Sequence, residues 1–416
     1  MINVPKGTKD VLPSDSCKWQ ALESAAREVA RLYNANEIRT PAFEYTELFL
    51  RGVGDTTDIV NKEMYTFEDK GGRSITLKPE GTAGAVRSFI ENNLAESLYQ
   101  KVFYFTPVFR YERPQAGRLR EHHQFGVEFF GSAEAGADAE VISLAHTFLN
   151  KIGISGLTLY INSIGCPTCR AEYNKALTAY LSKKSADLCP VCNDRITRNP
   201  LRVLDCKIPE CKQALVGAPK IIDFLCADCG THFGRLRQAL QDFDIPYEIN
   251  PDIVRGLDYY TRTVFEFVSN GIGAQGTVCG GGRYDNLVQS LGGKSTPACG
   301  FGMGLERLLL TLESLGKASC APRGPDVYVA TADSEGKAVQ NAAVSLLRRN
   351  GISVETDRTG RGLKSQIARA DKLEARRLLV LGATETSSGI YTVKNMSTGE
   401  TAQSDFDRLP QTVKAE

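Results

Sequence analysis

The spacing of apolar residues along the chain alternates between helical and strand-like periods. Residues 14–34 repeat apolar positions at three- and four-residue steps, and similar helical patterns follow Thr82 and cover residues 134–151. Residues 101–110 and 125–131 are rich in β-branched and aromatic residues, which predicts two strands of a hairpin joined by a long polar loop. The mixture indicates an α+β fold with an antiparallel sheet flanked by helices.

Two changes in composition and in predicted secondary structure divide the chain into parts. Residues from about 165 to 240 combine eight of the twelve cysteines with helical patterns, which predicts a mainly helical, Cys-rich module inserted into a domain of residues 1–320. Residues 316–325 are typical of a linker. In residues 325–416 strands alternate with helices, which predicts a second domain whose sheet is largely parallel and covered by helices.

Composition restricts the function only slightly. The chain is 42% hydrophobic and 24% charged, as is usual for a soluble globular protein. The formal net charge is +1, which gives no sign of a polyanionic partner, although nucleic-acid binding requires only a basic face. The sequence shows no apolar run of signal-peptide or membrane-spanning length. We therefore expect a cytoplasmic protein that does not contact a membrane and whose cysteines do not form structural disulfides.

Eight cysteines have the spacing of metal ligands. Three CxxC pairs and one looser pair lie in the insertion, namely Cys166 and Cys169, Cys189 and Cys192, Cys206 and Cys211, and Cys226 and Cys229. Eight thiols would fill two tetrahedral zinc sites, and a metal would stabilise a small module with little core. The alternatives are a remnant of such sites, or small buried side chains that bind no metal. We expect at least one structural Zn2+ and leave the pairing open.

The remaining cysteines are scattered along the chain. They are Cys17, Cys279, Cys299 and Cys320, and we expect them to be core or linker residues.

Arginines and glycines between the predicted strands provide candidate chemistry. Arg110 leads into a loop that carries Arg113, Arg118 and Arg120, and guanidinium groups make bidentate, permanently charged contacts with phosphate. The segment 301–307 places glycines before a helix, where a ligand can approach the backbone closely. Each feature alone has a plain structural alternative, either a solvated hairpin tip or tight packing of a strand against a helix.

Two further loops place polar side chains beside glycines. The segments 254–260 and 280–285 each combine Arg, Asp and Tyr with glycine. Tyrosine hydroxyls and carboxylates are the groups that hydrogen-bond a small polar ligand. Two such loops together with the arginine segments are hard to explain by packing alone.

These segments resemble the signature motifs of class II aminoacyl-tRNA synthetases, and the set as a whole resembles the histidyl-tRNA synthetase family. The loop after Arg110 resembles motif 2, and the segment ending in Arg307 resembles motif 3. Residues 255–260 and 280–285 resemble the two loops that mark the histidine enzymes, and residues 6–13 resemble the family's opening. The resemblance implies a homodimeric ligase that uses ATP, Mg2+, L-histidine and tRNA(His), with a C-terminal anticodon-binding domain.

The resemblance also implies roles for individual residues. Arg110 and Arg255 are the expected catalytic residues. The expected ATP-binding residues are Arg110, Glu112, Arg118 and Arg307. The expected histidine-binding residues are Glu80, Thr82, Gln124, Glu128, Arg255, Tyr259, Tyr260 and Tyr284. Gln115 and Arg118 are expected at the acceptor end of the tRNA.

Two positions depart from the family pattern, and neither removes a residue assigned to chemistry. Lys78 stands where arginine is usual, which keeps the charge but loses the bidentate fork. His122 stands where another aromatic residue is usual, which keeps a flat ring. We therefore expect activity to survive both departures.

The main alternative is a catalytically silent relative, the regulatory subunit of the first enzyme of histidine biosynthesis. That protein shares the catalytic fold and does not need an anticodon-binding domain. Residues 326–416 and the intact set of Arg110, Arg255 and Arg307 argue against it. A tRNA-sensing module is a second alternative, but the chain has no spare sequence for the effector domain that usually accompanies one.

Overall fold

A computed structural model describes residues 2–54, 57–94, 100–115, 117–269, 276–318, 320 and 324–415. The chain divides into two compact units, Met1–Cys320 and Ala321–Glu416. The boundary falls in the predicted linker 316–325, in which residues 319 and 321–323 lie outside the described residues.

The first unit contains one large and one small sheet. In chain order, its strands are β1 (Asn36–Glu37), β2 (Phe43–Tyr45), β3 (Tyr65–Glu68), β4 (Ser74–Leu77), β5 (Gln100–Phe109), β6 (Glu121–Phe130), β7 (Leu157–Ser163), β8 (Glu248–Ile249), β9 (Thr261–Ser269), β10 (Thr277–Arg283) and β11 (Ala298–Gly304). Eight of them form the large sheet in the order β1-β5-β6-β11-β10-β9-β7-β8. Its pairs are antiparallel except for β1–β5 and β7–β8 at the two edges. The small sheet has the order β2-β4-β3.

The helices of this unit lie between and beside these strands. They are α1 (Pro13–Leu32), α2 (Thr46–Val53), α3 (Thr82–Glu91), α4 (Ala135–Lys151), α5 (Pro167–Ser182), α6 (Pro190–Arg198), α7 (Pro209–Ala214), α8 (Ala227–Asp242), α9 (Leu287–Ser290) and α10 (Leu305–Ser314). A mixed architecture with a large sheet flanked by helices is confirmed.

The two faces of the large sheet differ because side chains alternate along each strand. On β6, Phe125, Val127 and Phe129 belong to the main hydrophobic core, which also contains Leu144 and Phe148 of α4. The opposite face of β6 presents Gln124, Gly126 and Glu128. One face of the sheet therefore packs against the main core, and the other carries these polar positions beside a second apolar cluster that includes Phe130.

The Cys-rich insertion has a small hydrophobic cluster of its own. Helices α5 to α8 lie in it, and Tyr173, Leu177 and Val203 are among the buried residues of that cluster. Helix α8 ends at Asp242, beyond the predicted limit near residue 240, and its Phe233 and Leu236 belong to the main core. The last helix thus ties the insertion to the large sheet.

The second unit is a five-stranded sheet with helices. Its elements are β12 (Val327–Thr331), α11 (Ser334–Arg349), β13 (Val354–Thr356), α12 (Leu363–Lys372), β14 (Arg377–Leu381), α13 (Ala383–Ser388), β15 (Tyr391–Asn395), β16 (Thr401–Ser404) and α14 (Leu409–Lys414). In the order β13-β12-β14-β15-β16, the first three strands are parallel and the last two pair antiparallel. The prediction of a largely parallel sheet is therefore confirmed for β13, β12 and β14 and is wrong for β15 and β16. Strand β16 escaped prediction because its residues are polar and mostly exposed.

Two further features concern the membrane and disulfide expectations. The described helices include none that combines the length and apolar character needed to cross a bilayer.

Contrary to expectation, Cys17 and Cys320 form a disulfide, with their Cα atoms 6.0 Å apart. The two residues are 303 positions apart in sequence, so spacing gave no hint that the end of this unit returns to α1.

Candidate active site

Glycines on three neighbouring strands leave an open patch on the polar face of the large sheet. Gly126 on β6 pairs with Gly302 on β11, which pairs with Gly280 on β10. A Cβ on Gly126 would overlap the ring of Tyr104, and one on Gly280 would overlap the guanidinium of Arg255. The missing side chains therefore let two large polar groups lie flat on the sheet.

Glu128 lies beside this patch and is completely buried. Its Oε1 accepts a hydrogen bond of 2.8 Å from the Tyr104 hydroxyl, and its Oε2 accepts a short one from Tyr284. Burial raises the pKa of Glu128 to about 8, although the tyrosine hydroxyls favour its charged form. A Cβ on the opposing Gly300 would overlap Oε2, so only glycine fits there. Glu128 is thus a buried acceptor fixed from both sides.

Tyr259 and Tyr260 close the same pocket. Their ring centroids are 4.7 Å apart, and Tyr259 lies 5.4 Å from the ring of Tyr284. The Tyr259 hydroxyl reaches Glu80 at 3.5 Å. Glu128, Glu80 and these rings therefore form a buried cluster of carboxylates and tyrosines, which are groups that hydrogen-bond a small polar ligand.

Glu80 is fixed at the start of α3. Its carboxylate accepts hydrogen bonds from the backbone N–H of Thr82 at 3.0 Å and of Ala83 at 2.6 Å. Burial raises the pKa of Glu80 even though these N–H groups favour the charged form. Gln124 is held nearby, where its Oε1 accepts from the backbone N–H of Gly81 at 3.2 Å. Both side chains therefore have defined positions at one wall of the pocket.

Arg255 is held over the glycine patch by an ion pair with Glu266 on β9. Glu266 also accepts a hydrogen bond of 3.0 Å from the Thr277 hydroxyl. Burial alone would lower the pKa of Arg255, but the Glu266 carboxylate more than offsets this, and the net pKa is raised. Its buried Nε has no hydrogen-bond partner among the described residues. Arg255 is thus a fixed cation with an unused donor.

Arg255 and three further arginines converge on a cavity of about 230 Å³. Of the predicted site residues, the cavity is lined by Arg110, Glu112, Arg118, Gln124, Arg255 and Arg307. The Arg110 Nε donates to the Pro79 carbonyl at 2.7 Å, and Arg307 donates to the Thr277 carbonyl at 2.7 Å. Burial and the neighbouring Arg118 lower the pKa of Arg307. Concentrated, partly desolvated guanidinium groups give this cavity the positive charge that a polyphosphate would require.

Comparisons with known proteins agree with this geometry. A family model described as histidyl-tRNA synthetase matches residues 7–308, and one described as an anticodon binding domain matches residues 326–416. The chain belongs to the histidyl-tRNA synthetase family.

Similar proteins match over the full chain. A histidine–tRNA ligase of Caldanaerobacter subterraneus subsp. tengcongensis is 54% identical over 415 residues, and the alignment covers 100% of both chains. One of Acetivibrio thermocellus is 51% identical over 416 residues, again with 100% of both covered. The crystal structure of apo histidyl-tRNA synthetase from S. aureus matches with a TM-score of 0.85 at 37% identity, and covers 99% of this chain and 100% of that one.

The two residues that depart from the usual family pattern, Lys78 and His122, both lie in well-defined environments. Lys78 is buried, and its Nζ donates to the Thr40 carbonyl at 3.1 Å, while burial lowers its pKa to about 8. Burial, with Arg110 close by, lowers the pKa of His122 to about 3, so its ring is neutral at physiological pH. Neither residue displaces the arginines or carboxylates of the pocket.

Three residues of the site were missed by the sequence analysis. Tyr104 holds Glu128, Glu266 holds Arg255, and Glu306 accepts from the backbone N–H of His123 at 2.9 Å. Tyr104 and Glu266 lie in no recognised motif, because each acts through a neighbour that is distant in sequence, whereas Glu306 lies within the segment 301–307 and was not assigned a role. The pairing register would have indicated Glu266, which lies opposite Gly280.

Of the two predicted acceptor-end residues, Gln115 does not line the arginine cavity, whereas Arg118 does. Gln115 is exposed and joined to Arg118 by backbone hydrogen bonds of 2.9 and 3.0 Å, which close the tip of the loop between β5 and β6. The Arg118 side chain forms an ion pair with Glu112. Residue 116, between them, lies outside the described residues.

Proposed function

We propose that this protein activates L-histidine with ATP and transfers it to tRNA(His). The observation that carries the proposal is the juxtaposition of Glu128, buried among tyrosines, with a cavity lined by Arg110 and Arg307. A histidine whose imidazole lay beside Glu128 would point its α-carboxylate toward Arg255. Arg255 would then lie between the bound histidine and the arginine cavity. A single site would thus hold both reactants.

Selection of histidine rests on the buried acceptor. Glu128 would accept a hydrogen bond from an imidazole nitrogen, with Tyr260 near the other side of the ring. Glu80, Thr82 and Gln124 would hold the α-amino group. An amino acid without a ring N–H could not make this additional hydrogen bond to Glu128 and would therefore bind more weakly.

Activation requires charge stabilisation at the α-phosphate. The histidine carboxylate oxygen attacks the α-phosphorus, the bond to the bridging oxygen of the β-phosphate breaks, and pyrophosphate leaves. Arg110 and Arg255 are placed to stabilise the charge that develops on the α-phosphoryl oxygens. Arg307 and Arg118 would hold the outer phosphates, and Mg2+ would supply further charge neutralisation when bound with ATP.

Transfer to tRNA involves both units. A terminal ribose hydroxyl of the tRNA attacks the histidyl carbonyl, and AMP leaves. Gln115 and Arg118 at the exposed loop tip would approach the acceptor end. In the second unit, Lys364, Arg369 and Lys372 are exposed on α12 and would contact the anticodon arm through its phosphates.

The remaining parts of the proposal concern assembly and location. Phe43, Tyr45 and Phe67 expose large aromatic side chains on the small sheet, with 55%, 56% and 49% of their surface accessible. An aromatic surface of this kind supports a homodimer with a second copy of the chain. Structural Zn2+ would be held by thiols of the insertion. A role in translation would place the protein in the cytoplasm.

The test is direct charging of tRNA. Purified protein with ATP, Mg2+ and labelled histidine should esterify a tRNA(His) transcript and leave a tRNA with a different anticodon and acceptor end uncharged. A well-folded protein that binds histidine but charges no tRNA would contradict the proposal and favour the regulatory alternative. Light scattering on the same sample should give twice the mass of one chain.

A further inference from the structure

The eight cysteines of the insertion form two separate groups of four. One group contains Cys166, Cys169, Cys226 and Cys229, and the other contains Cys189, Cys192, Cys206 and Cys211. Within each group all four sulphur atoms lie within 4.8 Å of one another, and none of the eight is in a disulfide. The sequence alone left this pairing open, because any two of the four pairs satisfy the spacing.

The sulphur positions fit a tetrahedral metal. Four thiolates at the usual Zn–S distance of about 2.3 Å are separated from one another by roughly 3.8 Å. The Cys166 sulphur lies 3.6 Å from that of Cys169 and 3.9 Å from that of Cys226. Both distances match the edge of such a tetrahedron.

Backbone N–H groups already point at the sulphurs. In the first group, Cys226 N–H donates to the Cys169 sulphur at 3.1 Å. In the second, Cys189 N–H donates to the Cys211 sulphur at 3.2 Å, and Cys192 N–H donates to the Cys189 sulphur at 3.4 Å. These donors stabilise the thiolates that a metal requires, so each group is organised for a bound cation.

The two groups occupy different places in the insertion. Cys166 and Cys226 directly precede α5 and α8, so the first group joins the two ends of the insertion at its base. The second group brackets the segment from α6 to α7, whose helices have nine and six residues. Helices this short are marginal on their own, so the segment needs a cross-link to keep its shape.

The bracketed segment contacts the loop that carries Arg255. Arg202 lies between Cys192 and Cys206, and its Nη2 donates to the Gly256 carbonyl at 2.5 Å and to the Asp258 carboxylate at 3.1 Å. Asn199 donates to the same carboxylate oxygen at 3.1 Å. The Arg202 side chain is only 11% exposed, and its bond to Asp258 is partly buried, whereas its bond to the Gly256 carbonyl is open to solvent.

We propose that the two groups are two independent Zn2+ sites, and that the second site positions the histidine-binding loop through Arg202. The metal at Cys189, Cys192, Cys206 and Cys211 fixes the segment that carries Arg202, and Arg202 fixes the loop between Arg255 and Tyr260. Arg202 is a positioning residue that does not touch substrate. The second half of the proposal rests on the proposed function, whereas the metal sites do not.

Metal content tests the first half without reference to activity. Full-length protein purified without chelator should contain two zinc ions per chain, and X-ray absorption should show four sulphur neighbours at about 2.3 Å. Cys206→Ser/Cys211→Ser and Cys226→Ser/Cys229→Ser should each retain one zinc. Cys17→Ser, which removes a cysteine outside both groups, should retain two. Zinc-free wild-type protein, or oxygen and nitrogen ligands in the absorption spectrum, would overturn the sites.

Steady-state pyrophosphate exchange tests the second half. Arg202→Ala should retain two zinc ions while its histidine KM rises and kcat falls, together on the order of 10- to 100-fold in kcat/KM. Its ATP KM should change less than its histidine KM, because Arg110, Arg118 and Arg307 of the phosphate cavity lie on other elements. Arg202→Lys should recover part of the loss, and Cys206→Ser/Cys211→Ser should reproduce the rise in histidine KM.

Arg198→Ala is the matched control, since Arg198 ends α6, is 71% exposed and pairs with Asp194 at 3.5 Å. It should match the wild type in both KM values. If Arg202→Ala only lowers the melting temperature and leaves histidine KM unchanged, the positioning role is wrong. If wild-type protein shows no histidine-dependent exchange, the proposed function fails while the zinc count still stands.

Discussion

The Tyr104 hydroxyl donates a hydrogen bond of 2.8 Å to the Glu128 carboxylate across neighbouring strands of the large sheet. Tyr104 on β5 lies opposite Gly126 on β6, and Glu128 is two residues beyond Gly126 on β6. The side chains of Tyr104 and Glu128 are therefore both on the polar face. Gly126 leaves room for the ring of Tyr104. The acceptor proposed to recognise histidine is therefore held in place by a residue outside every recognised motif.

Tyr104→Phe should weaken histidine binding without unfolding the protein. The variant removes one of the two tyrosine donors to Glu128, a hydrogen bond worth about 0.5–1.5 kcal/mol, so histidine KM should rise roughly 2- to 10-fold. ATP KM should stay unchanged. Pyrophosphate exchange at varied histidine and varied ATP measures both constants, and an equal rise in the two would contradict a role specific to histidine.

The raised pKa of Glu128 predicts a pH-dependent stability. Unfolding returns the pKa of Glu128 from about 8 to about 4.5, so between these values the folded state binds the extra proton and stability falls as pH rises. Glu128→Gln removes this titration and keeps the side-chain shape. Denaturant unfolding across this pH range should show the variant gaining stability over the wild type as pH increases. A constant difference would show that Glu128 does not carry the shift.

Gly280→Ala should disable the site through sterics alone. The added Cβ would overlap the Arg255 guanidinium, and displacement by about 1 Å can cost on the order of 100-fold in rate. Gly136→Ala is the matched control, because a Cβ at Gly136 in α4 meets nothing within 4 Å. Exchange should fall in the first variant and stay normal in the second. Equal activities would mean that Arg255 does not need its place over Gly280.

Arg255→Ala should abolish formation of histidyl-adenylate and leave the fold intact. Because it also leaves Glu266 without its partner, the double variant Arg255→Ala/Glu266→Gln separates the two effects. Melting temperature should recover in the double variant, while exchange should remain absent in both. Normal exchange in either variant would contradict the assigned role of Arg255.

Sequence patterns predicted the elements best where periodicity was strong. The hairpin of β5 and β6, helices α3 and α4, and most of the second unit follow from apolar spacing. Strand β16 and the antiparallel end of that sheet did not, because an exposed polar edge strand has no hydrophobic face to reveal it.

Only those site residues that lie in recognised motifs could be predicted from the sequence. Arg110 and Arg307 could be named from their segments, since Arg110 opens an arginine-rich loop and Arg307 follows a glycine-rich entry to a helix. Tyr104 and Glu266 could not, because their contacts depend on strand register. The disulfide of Cys17 and Cys320 depends on the path of the chain over 303 residues, which local patterns do not encode.

The most direct test of the account is amino-acid-dependent ATP–pyrophosphate exchange, with each of the twenty amino acids supplied separately to the purified full-length protein. The account predicts exchange with histidine alone. Only histidine would place an imidazole beside the buried Glu128 and, at the same time, its α-carboxylate beside Arg255. Exchange with another amino acid, or no exchange from well-folded protein supplied with Mg2+, would contradict it.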